Sequence, residues 1–299
     1  MSITSFRTEE SRSNPHTAAK VTIPGLLERK LLQRPITALT AYDYASARLV
    51  DEAGLDLILV GDSLAMVMQG YDNTLSITMD EMLLYTRGVR RAVRRALLVA
   101  DMPFASYLTE HDALSNAARF LKEAGAEAVK LEGGRTRARI IRRLVEAEIP
   151  VVGHIGLTPQ AVHRMGGYKV QGKTTDDAER LRADALALEE AGCFAIVLEG
   201  VPRELARVIT TDLRIPTIGI GAGPDCDGQI LVLHDLLSLT FAPPAKFVRR
   251  YADLAGIIRE ALTRYKDDVI ARTFPSDAES YHLASEALNL LAEPTAVSA

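Results

Sequence analysis

A chain of 299 residues, 47% hydrophobic and 25% charged, is long enough for one barrel-sized globular domain or two smaller ones. Its net charge of −4 argues against a nucleic-acid or anionic-membrane partner, and no apolar run approaches the ~18 residues needed to span a bilayer. Two cysteines, Cys193 and Cys226, supply neither a disulfide framework nor metal-ligand spacing, which suits a reducing cytoplasm.

In chain order, residues 1–20 are polar, lack the apolar core of a signal peptide and read as a mobile tail. Short apolar runs then alternate with longer helical patterns. Strand candidates lie at 36–42, 56–61, 96–100, 126–131, 150–153, 194–198 and 215–220, with a weaker eighth near 238–242. Segments with helical periodicity, such as HDALSNAARFLKEAG and DDAERLRADALALEEAG, separate most of them. Strands apolar on both faces, alternating with helices, predict a parallel sheet covered by helices. The expected closure is a (β/α)8 TIM barrel over residues 21–273, with an open doubly wound sheet as the alternative. Residues 274–299 are expected to form a C-terminal helical extension and tail.

Three segments share one grammar: DEAGLDLILVGD, KEAGAEAVKLEG and EEAGCFAIVLEG. Each stops a helix with a glycine suited to a left-handed turn, runs into a short strand and ends in a carboxylate: Asp62, Glu132 and Glu199. ALLVADMP ends another strand in Asp101, and IPVVGHIG carries His154. In an α/β barrel such C-terminal strand ends converge on the mouth. A single acid there is most often a helix cap or a solvated loop residue. Four together repel one another unless a cation or a proton holds them. Asp62 is therefore expected to be one arm of a cation site.

All candidate ligands are oxygen donors without a Cys/His cluster nearby, which favours Mg²⁺ over Zn²⁺. A 2-oxo acid could chelate such a metal, which would stabilise its enolate. Lys130 lies two residues before Glu132 and shares its side of the strand. It either binds the substrate carboxylate or enolate oxygen, or is paired structurally. His154 either donates a hydrogen bond to substrate or is a satisfied structural histidine.

MGGYKVQGK (165–173) reads as a mobile loop over the mouth. GIGAGPDCDG (219–228) contains no basic residue, so close packing or a neutral ligand is preferred there to a phosphate site. RGVRRAVRR would place Arg87, Arg90, Arg91, Arg94 and Arg95 on one helix face, read as solvated or as a subunit contact.

From about residue 20 to 272 the chain resembles the ketopantoate hydroxymethyltransferase family. The resemblance is carried, in order, by ITALTAYDY, LVGDSLAMVMQGYDNTL, LLVADMPFASY, VKLEGG, GHIGLTPQ, GGYKVQGK, LEGVP and IGIGAGPDCDGQILVLHD. SLTFAPPAKFVRRY, before the last helix, is longer and more proline-rich than the resemblance leads one to expect. The resemblance implies a barrel of the phosphoenolpyruvate/pyruvate type. It implies Mg²⁺ bound by Asp62, Asp101 and Glu132, keto-acid contacts from Asp62, Ser63, Asp101 and Lys130, and Glu199 as proton acceptor. The implied co-substrate is 5,10-methylenetetrahydrofolate and the implied assembly a homo-oligomer, a decamer. The implied reaction transfers a hydroxymethyl group to 3-methyl-2-oxobutanoate through a Mg-stabilised enolate, giving 2-dehydropantoate and opening pantothenate biosynthesis. A carboxylate buried among other acids is expected to hold its proton more tightly than usual, which helps proton transfer near neutral pH. The competing readings are a Mg-dependent C–C lyase or mutase of the same barrel type, acting on another 2-oxo acid, and a non-catalytic scaffold. The lyase or mutase usually employs a cysteine on a mobile loop.

Overall fold

The computed structural model describes residues 19–285 and 287. All but two residues of the expected 1–20 tail, and half of the expected 274–299 extension and tail, lie outside the described residues. The chain divides into two compact units after Tyr251, so the span 21–273 expected for the barrel crosses that division.

The first unit is a closed parallel barrel. Its strands are β1 (Ile36–Thr40), β2 (Leu57–Val60), β3 (Leu97–Asp101), β4 (Ala128–Glu132), β5 (Val151–Gly156), β6 (Ala195–Glu199), β7 (Thr217–Ile220) and β8 (Gly228–Leu231). Each strand hydrogen-bonds its sequence neighbour, and β8 closes the ring on β1. The (β/α)8 expectation is met, and the open doubly wound sheet is excluded. The three EAG segments end their helices as expected, with Gly54, Gly125 and Gly192 at φ of 79°, 72° and 101°.

Strand alternation sorts the side chains into two cores. Ala38, Leu57, Leu59, Leu97, Val99, Ala128, Val152, Ala195, Val197, Ile218 and Ile230 fill the barrel interior. Leu39, Ile58, Val60, Leu98, Val129, Leu131, Ile155, Ile196 and Leu198 face outward into a layer shared with the surrounding helices. At the N-terminal end Val21 and Leu26 join the interior cluster from below, Leu26 from the helix Ile23–Leu31. There Arg29 and Arg95 converge on buried Asp56, at 2.8 and 3.0 Å, and Lys30 meets Asp227 at 2.7 Å. These ion pairs tie the barrel floor together.

The eighth strand is a correction. It is Gly228–Leu231, whereas residues 238–242 form no strand. Gly228 has no room for a side chain: a Cβ there would lie 2.5 Å from the Ile36 carbonyl oxygen. The expected close packing is thus the role of at least this glycine of the 219–228 stretch. The arginine face is a second correction. The helix Met79–Ala92, opened by a Thr78/Glu81 capping box, stops where Val93 turns extended at ψ 125°. Arg94 and Arg95 lie beyond it, their backbone N–H groups donating to Asp51 at 2.8 and 3.1 Å. Arg90 approaches Glu127 at 3.4 Å. Arg90, Arg94 and Arg95 thus belong to separate structural pairings, and the five arginines do not share one helix face.

The second unit carries the helix Leu254–Ala271, capped by Asp253 accepting from the Gly256 N–H, and a short 3-10 turn Asp277–Glu279. Among the described residues no helix is long and apolar enough to cross a membrane.

Candidate active site

The period of two that fills the interior also delivers the polar residues. On β3 the inward series Leu97, Val99 continues to Asp101; on β4 Ala128 is followed by Lys130 and Glu132. On β5 Val152 is followed by His154, and on β6 Ala195 and Val197 by Glu199. Each strand is apolar in mid-barrel and turns polar at its C-terminal end. Asp62 comes one residue past Gly61, after β2 has ended, where the chain turns into the short helix Leu64–Val67. Register makes neighbours of Asp101 with Lys130 and of Glu132 with His154.

The result is a buried charged cluster. Asp62, Asp101, Lys130, Glu132 and His154 are each at most 5% exposed. Lys130 Nζ lies 2.8 Å from Asp101 Oδ2 and 3.2 Å from His154 Nδ1. Asp101 Oδ2 also accepts from the Asp62 N–H at 3.2 Å. His154 Nδ1 is 3.4 Å from Glu132 Oε1, and its Nε2 is 3.2 Å from Glu199 Oε2. Ser63 stands beside this group, its hydroxyl sharing a 2.8 Å hydrogen bond with Tyr42.

Burial dominates the electrostatics, and like charges add to it. Burial, then Asp101 and Glu132, hold the Asp62 carboxyl well above the usual range, against Lys130 and Gln160. Burial also raises Asp101, with Lys130 opposing and Glu132 adding. For Lys130 burial favours the neutral amine, but Asp101, Glu132 and Asp62 outweigh it and the ammonium is held more tightly than usual. Burial and Lys130 push the His154 imidazole down, yet its contacts with Glu132 and Glu199 raise it to about 9. The expected raised carboxyls are thus present at Asp62 and Asp101.

Two buried oxygens, Asp101 Oδ1 and Glu132 Oε1, have no hydrogen-bond partner. A buried acceptor left so, as Asp101 Oδ1 is, carries a desolvation penalty of ~1–3 kcal/mol, whereas Glu132 Oε1 keeps the 3.4 Å ionic approach of His154 Nδ1. A hard divalent cation taking oxygen ligands is the chemistry that satisfies them, and the donor set fits it. Among the described residues no three Asp, Glu, His or Cys side chains already form a metal cage. Lys130 occupies one Asp101 oxygen, and Gln160 holds one oxygen each of Asp62 and Glu132.

Sequence reading missed Gln160 and Tyr107. Gln160 lies on the 3-10 turn Pro159–Ala161 after β5, and Tyr107 in the segment after β3. GHIGLTPQ ends in Gln160, so the signal was a motif and not a periodicity. A cavity of about 410 Å³ opens beside them, lined by Phe104, Tyr107, Leu108, Glu132, Gln160 and Arg164. A larger one of about 750 Å³, lined in part by Arg135, Gly156, Arg164 and Asp184, touches none of the clustered acids. The smaller is the one that reaches the chemistry. The segment 166–173 packs on the strand end, with the Gln171 N–H donating to the Gly200 carbonyl at 2.9 Å.

Gly156 positions Glu199 from the neighbouring strand. Its φ is 96°, and a Cβ there would lie 2.2 Å from the Glu199 carbonyl oxygen. Gly156→Ala is expected to destabilise the barrel by more than ~1 kcal/mol, since both the backbone angle and the space forbid the methyl. A lowered thermal midpoint together with reduced turnover checks this; an unchanged midpoint refutes it.

Residues 20–277 match the family described as Ketopantoate hydroxymethyltransferase. A protein of Koribacter versatilis named 3-methyl-2-oxobutanoate hydroxymethyltransferase is 66% identical over 270 residues, 90% of this chain and 92% of that one. One of the same name from Pelobacter propionicus is 56% identical, covering 88% of this chain and 98% of its own. Among solved structures, a phosphonopyruvate hydrolase with oxalate and Mg²⁺ shares the fold at a TM-score of 0.60 and 17% identity, covering 90% of this chain and 95% of that one. A 2,3-dimethylmalate lyase of the PEP mutase/isocitrate lyase superfamily does so at 0.57 and 20%, covering 87% and 92%. The sequence relatives, set on the barrel described above, show that this chain is an enzyme of the ketopantoate hydroxymethyltransferase family.

Proposed function

We propose that this enzyme transfers the one-carbon unit of 5,10-methylenetetrahydrofolate to 3-methyl-2-oxobutanoate as a hydroxymethyl group, water supplying the hydroxyl, giving 2-dehydropantoate and tetrahydrofolate, the first step of pantothenate biosynthesis. The observation that carries the reading is the convergence of four strand-end carboxylates and Lys130 at one barrel mouth, in a chain 66% identical to a relative named for this reaction. Asp62, Asp101 and Glu132 would hold Mg²⁺, whose chemistry is to lower the cost of negative charge on the keto oxygen. Lys130, charged and buried 2.8 Å from Asp101, is placed to donate to the keto acid's carboxylate or enolate oxygen. Ser63 and His154 border the same space and add donors to the keto acid. Glu199 on the rim takes a proton, either from C3 of the keto acid or in opening the folate ring. Burial of the cluster excludes bulk water from an enolate that would otherwise be reprotonated.

Incubating the purified enzyme with 3-methyl-2-oxobutanoate, 5,10-methylenetetrahydrofolate and Mg²⁺ tests the assignment. 2-Dehydropantoate is expected by mass spectrometry, with formation abolished by chelator and restored by Mg²⁺. No product from this pair, with or without metal, sinks the reading.

The lyase or mutase alternative shares the fold but not the cysteine chemistry. Cys193 packs in the layer between barrel and helices, where burial pushes its thiol up to about 12. Cys226 is held near Thr210 and Thr217, burial raising its thiol also. At pH 8 a thiol near 12 is ionised about one part in 10⁴, so Cys193 is expected to resist alkylation in the native enzyme. Turnover is expected to persist after iodoacetamide treatment. Inactivation that tracks modification of either thiol would instead favour cysteine chemistry.

A further inference from the structure

The side chain of Gln160 commits both of its amide donors and its amide oxygen to groups around the acid cluster. Its Nε2 donates to Asp62 Oδ2 at 2.8 Å and to the Met102 carbonyl at 3.0 Å. Its Oε1 accepts from the Tyr107 hydroxyl at 2.5 Å. Its backbone N–H donates to Glu132 Oε2 at 3.0 Å. Tyr107 closes the loop, its oxygen accepting from the Glu132 N–H at 3.3 Å. Gln160 and Tyr107 are buried, at 8% and 4% exposure, so these bonds are not traded with water.

We infer that Gln160 is a positioning residue which, braced by Tyr107, sets the Asp62 and Glu132 carboxylates for a divalent cation. The inference rests on the reading of the acid cluster as a cation site.

The physical case has three parts. The orientation of the amide is fixed by its partners: the Met102 carbonyl can only accept, so the NH₂ must face it, and the tyrosine hydroxyl must donate to the amide oxygen. A carboxamide also brings two donors to Asp62 and Met102 without adding a charge to a site already holding several acids. A glutamate of the same shape would add a further repulsive charge. Finally, the Gln160 backbone N–H ties one Glu132 oxygen and leaves the other, Oε1, without a hydrogen bond. Fixing Oε2 fixes where Oε1 points. Groups that orient ligands in this way typically change metal affinity by ~10–100-fold when removed.

Mn²⁺ is the probe, titrated into metal-free enzyme and followed by loss of the free-ion electron paramagnetic resonance signal. Gln160→Met keeps volume and the backbone N–H but removes the amide, and is expected to weaken Mn²⁺ binding ~10–100-fold. Gln160→Glu is expected to do so more severely. Turnover of Gln160→Met should recover toward wild type as Mg²⁺ is raised, whereas a purely structural defect would not depend on Mg²⁺. If the Gln160 variants fail to fold, Tyr107→Phe removes only the brace and is expected to weaken Mn²⁺ binding in the same direction by a smaller factor. Wild-type affinity in Gln160→Met, or in Tyr107→Phe where that is the variant in hand, overturns the inference alone. Failure of the unmodified enzyme to bind Mn²⁺ overturns it together with the cation site itself.

Discussion

Glu199→Gln is expected to lower turnover about 10²–10⁴-fold while leaving Mg²⁺ and keto-acid binding intact. The separation follows from where Glu199 sits. Its side chain is 16% exposed on the rim, against 2–5% for Asp101, Lys130 and Glu132 deeper in the cluster, and its ionic contact is to His154 Nε2 at 3.2 Å. Glutamine keeps the shape and removes the base. The buried pairing of Lys130 with Asp101 does not involve Glu199, so these groups and the carboxylates assigned to the metal stay in place, and among the keto-acid contacts only His154 loses a partner. One side effect is expected: the contact with Glu199 is among those raising the His154 imidazole to about 9, so losing its carboxylate acceptor should lower that value. Histidine titration by nuclear magnetic resonance reads this directly.

Exchange of the C3 proton of 3-methyl-2-oxobutanoate into deuterated water, without folate, assigns the role. Loss of exchange in Glu199→Gln places the residue in enolisation. Retained exchange with failure of the full reaction moves it to the folate half. Wild-type rates in both assays would show that Glu199 is not catalytic.

The parts of this site legible in the sequence are those that strand periodicity encodes. Lys130 and Glu132 share an inward face because they are two apart on β4, and Asp101 and Glu199 end apolar runs whose alternate residues fill the barrel. What the period cannot carry is tertiary convergence. Gln160 matters because the ends of β2, β3 and β4 meet around a turn after β5, and no local pattern marks an amide for that position. β8 escaped for a similar reason. It is four residues long, opens on a glycine, and is defined by pairing with β1 and β7, so its existence is a property of closure. The arginine helix was read too long because its periodicity runs past Ala92, where Arg94 and Arg95 are recruited by Asp51 and Asp56 from another part of the barrel.

Lys130 is a residue for which sequence left both a structural and a substrate-binding reading, and the two make different predictions once its surroundings are known. Lys130→Met is expected to destabilise the enzyme by about 3–5 kcal/mol, because it leaves Asp101 in the cluster without its counter-charge at 2.8 Å. It is also expected to abolish measurable turnover. Neither result alone decides the role, since a damaged fold also loses activity. The double variant Asp101→Asn/Lys130→Met does decide it. Removing both charges takes away the uncompensated carboxylate, and replacing a buried pair by neutral groups is often close to neutral in stability. Most of the lost stability should therefore return, read as the denaturation midpoint in urea. Activity should not return with it, because both groups belong to the set assigned to metal and keto acid. A double variant that regains stability and turnover together would make the pair structural. A Lys130→Met variant that keeps wild-type turnover would remove the lysine from the substrate contacts.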